Sequence, residues 1–109
     1  MRTPAHVLLH DEAVVTLTEA DVAEGTAELR WQLRDLVLSG VRRIVVDVAA
    51  IDRLPSTTLA ALLSAHRACR ARGGGVRIRN PNRATLDLLR HTGLHRVFAV
   101  EPAPAATDR

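Results

Sequence analysis

A single cysteine, Cys69, excludes any intrachain disulfide, so the fold rests on packing alone and suits a reducing compartment. Aromatic residues are nearly missing: Trp31 and Phe98 account for the whole 2%. The core must therefore be built from Leu, Val, Ile and Ala. Lysine is absent, and all fifteen basic residues are arginine. These are dispersed, with Arg42-Arg43 the only adjacent pair, and they are not interleaved with aromatics as in single-strand binders. The formal net charge of +3 thus gives no argument for nucleic acid. No apolar run approaches the roughly 18 residues of a membrane span. The opening MRTPAHVLLHDEAVV has too short and too charged an apolar run for a signal peptide. A soluble, cytoplasmic protein without membrane insertion is expected.

What is present suits one ordinary domain. The chain has 109 residues, 47% hydrophobic and 25% charged, which is globular composition. At that length about two-thirds of the unfolded surface is buried on folding. Residues 1–100 are expected to form the domain and 101–109, rich in Pro and Ala, a disordered tail.

Two short strands, His6 to His10 and Ala13 to Leu17, flank a turn at His10-Asp11-Glu12. Thr18 to Asp21 leads into a helix whose stripe is Leu29, Leu33, Leu36 and Val37, closed by Ser39-Gly40. Val41 to Val48 alternates little, as in a strand covered on both faces. A second helix starts near Ser56, with Leu59, Leu62, Leu63, His66 and Cys69 on one face, and stops at Arg72-Gly73-Gly74-Gly75. Val76 to Arg79 is a strand. Asn80-Pro81-Asn82 opens a third helix, Arg83 to Arg90, which Thr92-Gly93 closes. His95 to Val100 reads as the last strand. The order β-β-α-β-α-β-α-β predicts an α/β fold with about five mixed, largely parallel strands and helices packed on the sheet.

Catalytic and metal chemistry find no support. His6 and His10 lie in a predicted strand, while Gly93 interrupts the face that His91 and His95 would share. The triple glycine is not followed by the Lys-Ser/Thr of a phosphate loop. Ser56 stands outside any G-x-S-x-G elbow, and Cys69 is mid-helix on the apolar side, where a thiol is inert. No enzyme, cofactor or metal is expected. Trp31 and Leu38 share the outer face of the first long helix. Arginine stems provide one form of cover for them; a partner or second-copy contact, hence a homodimer, is another.

The most informative stretch is Asp47 to Cys69. There a strand ends, a short loop follows, and Ser56-Thr57-Thr58 opens a helix. Its surroundings are patterned too: Glu19-Ala-Asp21 leading to Thr26-Ala-Glu-Leu-Arg30, then Ile44-Val-Val-Asp47-Val, then Leu59-Ala-Ala-Leu-Leu63. Leu86-Asp-Leu-Leu89 with Thr92-Gly93-Leu94 and Val97-Phe98 completes the series. In order and spacing, from about Val14 to Val100, these blocks resemble the STAS domain of anti-sigma factor antagonists and sulfate-transporter tails.

The resemblance implies a regulatory binding protein. Its partner would be an ATP-binding anti-sigma factor with serine kinase activity, reset by a serine phosphatase. It implies a phosphoacceptor at Ser56, with Thr57 and then Thr58 as weaker candidates. It also implies a docking surface of Glu19, Asp21, Asp52, Arg53, Leu54, Pro55, Ser56, Thr57 and Leu59. The usual Asp-Ser-Ser/Thr-Gly reads Pro55-Ser56-Thr57-Thr58 here. Pro55 cannot supply a carboxylate, and Thr58 is expected to add bulk where glycine lets a partner approach. Two alternatives stay open: Ser56 as a mere helix N-cap, and a constitutive STAS scaffold subunit of a stress-signalling assembly or lipid transporter.

Overall fold

Short apolar runs, many of their residues β-branched, build the five strands of a computed structural model that describes residues 5–9, 11–23 and 27–102. They are β1 (Ala5–Leu9), β2 (Glu12–Thr16), β3 (Arg43–Asp47), β4 (Gly75–Arg79) and β5 (Ala99–Glu101). The strands lie side by side in chain order. β1 runs antiparallel to β2, and β2 to β5 are parallel. The crossovers hold α1 (Glu19–Ala23), α2 (Ala27–Leu38), α3 (Ser56–Arg70) and α4 (Arg83–Thr92). The expected α/β architecture is therefore observed, with helical segments α1 and α2 on either side of residues 24–26. Of the proposed tail 101–109, Glu101 instead closes β5 opposite Arg79, and residues 103–109 lie outside the described residues, as do His10 and Thr26.

Parallel strands that succeed one another in one direction, joined by crossovers of one hand, place their helices on one face. That face carries the core, while on the other face Val45 of β3 is also buried, at 3% exposure, with no described helix over it. Ala13, Val15 and Leu17 of the second strand and its end, Ile44, Val46 and Val48 of the third, and Val76 and Ile78 of the fourth all join the core. The helices contribute Leu29, Leu33 and Leu36 from α2, Leu59, Leu62 and Cys69 from α3, and Leu89 from α4. The opposite face carries a rung of Val14, Val45, Arg77 and Ala99, then one of Thr16, Asp47, Arg79 and Glu101. Burial pushes the Cys69 thiol up, against a smaller pull from Arg72, which keeps it protonated and unreactive.

His66 is more than filling. Its Nδ1 accepts the Val76 N–H at 3.0 Å, and its ring meets Phe98 edge-on, with centroids 5.4 Å apart. Burial, and secondarily the Arg70 charge, holds its pKa below the usual histidine value, which fits an acceptor nitrogen.

The last strand departs from expectation. Residues Leu94–Arg96 form a 3-10 turn and β5 starts only at Ala99. Gly93 takes the left-handed conformation, and the N–H groups of Arg96, Val97 and Phe98 bond back to Gly93 and Leu94 carbonyls. With those donors used, the segment has none left for the sheet.

Glycine is indispensable at one place. A Cβ on Gly74 would stand 1.8 Å from the Arg42 carbonyl oxygen. The same carbonyl accepts the Gly75 N–H at 3.0 Å, at the start of the β3–β4 ladder. Gly74→Ala must push β3 and the end of α3 apart. It is expected to cost about 1–3 kcal/mol, as overpacking does, read as a lower urea midpoint at unchanged slope. An unaltered midpoint would contradict the packing described.

Candidate functional site

Loops that leave parallel strands at their C-terminal ends gather at one edge of the sheet, the usual place for function in such folds. Here that edge is built by the starts of α1, α3 and α4. Thr18 and Asp21 bond reciprocally: the Thr18 N–H donates to Asp21 Oδ2 at 2.7 Å, and the Asp21 N–H donates to Thr18 Oγ1 at 3.2 Å. This capping box starts α1 and leaves Glu19, one turn position on, exposed at the edge.

The loop after β3 is held from three sides. Ile51 and Leu54 are core residues, 1% and 2% exposed, so they pin its two ends. Between them Asp52 and Arg53 form an exposed knuckle. The Asp52 N–H donates to Glu19 Oε2 at 2.6 Å, from α1. From the other side Asn82 Nδ2 donates to the Asp52 carbonyl at 2.8 Å and to the Ile51 carbonyl at 3.3 Å. Asn82 Oδ1 meanwhile accepts the Thr85 N–H at 2.8 Å, capping α4. One amide thus starts a helix and fastens the loop. Below it, Asp47 Oδ1 accepts the Ala49 N–H at 3.0 Å, and Asn80 Nδ2 approaches both Asp47 oxygens at 3.4 and 3.5 Å.

α3 begins without a side-chain cap. Pro55 occupies the N-cap position in an extended conformation, and Ser56 is the first helical residue. Ser56 and Thr57 are exposed, and among the described residues no hydrogen bond holds the Ser56 hydroxyl. Ser56 is therefore not the cap that one sequence reading made it. The first turn holds no acidic residue, so its free N–H groups and the positive end of the dipole meet no protein carboxylate of their own helix.

Two further expectations need correction. Thr58 is fully buried and its Oγ1 has no partner, so its bulk points into the core, away from any docking partner, and its hydroxyl is out of reach of a kinase. Leu54 and Leu59, at 2% and 5% exposure, hold the loop and helix from inside rather than meeting a partner. Asp21 stays at the edge beside Glu19, half-buried, with its carboxylate capping Thr18. The exposed members are Glu19, Asp52, Arg53, Ser56 and Thr57, with Pro55 half-buried beside them. In the sequence Asn80 and Asn82 signal only a helix opening. Their bonds to residues about thirty positions upstream have no local signature.

Among the described residues no group of three or more His, Cys, Asp or Glu is placed to hold a metal ion. No described helix is long and apolar enough to cross a membrane. A one-sided, largely parallel sheet with a pinned knuckle beside a helix start defines a small α/β domain of the anti-sigma factor antagonist type of fold. The chain belongs to the STAS domain family: the family model described as "Mlab, STAS domain" matches residues 6–101.

Solved structures agree on the fold. An anti-sigma-factor antagonist (STAS) domain protein from Planctomyces limnophilus superposes with a TM-score of 0.76 at 10% identity, covering 94% of this chain and 92% of that one. The unphosphorylated anti-sigma factor antagonist SpoIIAA, of Bacillus, gives 0.74 at 15% identity over 94% of this chain and 90% of its own. A chain from the molecular architecture of the stressosome gives 0.66 at 18% identity, covering 90% and 87%. Comparison with curated proteins finds no match.

The Asn82 bonds separate by substitution. Asn82→Ala loses the cap and both loop bonds and should lower stability by about 2–3 kcal/mol, at roughly 1 kcal/mol for the cap and as much for each bond. Asn82→Asp keeps the cap acceptor but has no N–H for the loop, so it should fall between wild type and Ala in urea unfolding. An Asp variant as stable as wild type would mean that the loop bonds contribute nothing, whereas equal losses in the two variants would mean that the cap does.

Proposed function

We propose that this chain is an anti-sigma factor antagonist-like binding module, working in the cytoplasm. Its knuckle of Asp52 and Arg53, together with Glu19, Pro55, Ser56 and Thr57, docks on an anti-sigma factor with serine kinase activity. Such docking would release the sigma factor that the partner holds. The observation that carries this reading is Ser56: an exposed, unbonded hydroxyl on the first turn of α3, directly after a loop pinned in place. Phosphorylation there adds a charge of about −1.5 to −2. The helix N-terminus accommodates an anion, so the fold survives while the docking surface is repelled and more strongly hydrated. Thr57 is the second accessible acceptor. A serine phosphatase would reset the module.

A constitutive role is the second reading. Pro55 and Thr58 replace the Asp and Gly of the usual acceptor motif, and the matching family carries the description "Mlab" rather than that of an antagonist. On this reading the same edge holds a partner permanently within a signalling assembly or transporter, and no phosphate is transferred.

Incubation with ATP and histidine-kinase-like anti-sigma factors from the same genome separates the two. The switch predicts phosphate on Ser56 by mass spectrometry, tight binding by Ser56→Ala, and at least tenfold weaker binding by Ser56→Asp. Because Ser56 makes no cap bond, Ser56→Ala should shift stability by no more than about 0.5 kcal/mol. A wild type that is never phosphorylated, with Asp and Ala variants binding equally, would contradict the switch and leave the constitutive role.

A further inference from the structure

A second surface lies on the other flank of α3, away from its N-terminus. α2 turns Leu29, Leu33 and Leu36 inward, yet two large apolar side chains of the same helix face solvent. Trp31 is 64% exposed and Leu38 68%. They stand seven residues apart, which in a helix is two turns on one face. They border a groove of about 650 Å³ between α2 and α3. Its floor on the α3 side is Ala61, Ser64, Ala65 and Ala68, and among the described residues its charged lining is Arg30 and Arg34. No described ion pair engages either arginine.

We propose that this groove docks an acidic amphipathic helix from a partner protein, independently of the loop at Asp52 to Ser56. Three arguments select that occupant. Both walls are helices whose backbone groups are already bonded internally, so an extended peptide would find nothing for its own N–H and C=O groups, whereas a helix brings none unpaired. The apolar floor takes the leucine-type stripe of such a helix, and the exposed Trp31 is the kind of anchor that dominates helix-in-groove contacts. The described charged residues that line the groove are both basic. A two-fold pair of this chain would set Arg30 and Arg34 against their own copies, since an isologous contact joins the same patch to itself. A partner with glutamates flanking its apolar stripe matches the rim instead.

The probe is a synthetic helical peptide of about 15 residues, long enough to hold helix. It carries leucine at i, i+3, i+4 and i+7 and glutamate on both flanks; a second peptide has lysine in place of glutamate. Trp31 is the only tryptophan, so its emission reports the groove directly. The glutamate peptide should bind saturably with a blue shift, at least tenfold more tightly than the lysine peptide. The double variant Arg30→Glu, Arg34→Glu, folded by circular dichroism, should invert that preference. Ser56→Asp should bind the glutamate peptide as wild type does, whatever the fate of the anti-sigma reading. Equal binding of both peptides, or binding of neither, would overturn the proposal. So would a concentration-dependent dimer in sedimentation that Trp31→Ala disperses, since a second copy would then be the occupant.

Discussion

The side-chain amide of Asn82 is the constraint on which the candidate edge depends. Its oxygen caps α4 and its nitrogen reaches across to the carbonyls of Ile51 and Asp52. A loop that leaves a parallel strand exposes polar backbone at the sheet end, and each carbonyl must find a donor. Here the donor comes from the next crossover rather than from the loop itself. The position of the knuckle is therefore tied to the start of α4, and through Glu19 to the start of α1. Three crossovers of the sheet converge on the loop between β3 and α3.

This convergence gives the edge its character. Ile51 and Leu54 anchor the loop in the core, so only Asp52 and Arg53 reach solvent between them. A surface ordered before its partner arrives gives up less conformational entropy on binding than a mobile loop does. It also separates two roles that the three hydroxyls share in sequence. Thr58 faces the core, whereas Ser56 and Thr57 face outward where charge can be added without disturbing packing. The same helix offers a different chemistry farther along, where its small side chains line a basic-rimmed apolar groove with Trp31.

Most of the fold was legible because its signals are local. The α2 stripe of Leu29, Leu33 and Leu36, the left-handed glycine after α4 and the Asn-Pro-Asn opening of that helix each follow from neighbours in the chain. The exposed pair Trp31 and Leu38 followed from the helical wheel alone. What escaped was non-local. The direction of Thr58 depends on how α3 is rotated against the sheet, which no three-residue motif records. Leu54 and Leu59 belong to the resembling family's docking region by position, but packing turns them inward. The start of β5 was displaced because Gly93 feeds a 3-10 turn that consumes the donors a strand would use. The two Asn82 loop bonds span thirty and thirty-one residues, so only the folded chain reveals them.

The central claim is that the knuckle is fixed before any partner binds. Backbone ¹⁵N relaxation of the free protein tests it most directly. The account predicts an order parameter of about 0.85 for the Asp52 amide, as in rigid backbone. A value below about 0.6, the range of flexible backbone, would contradict it.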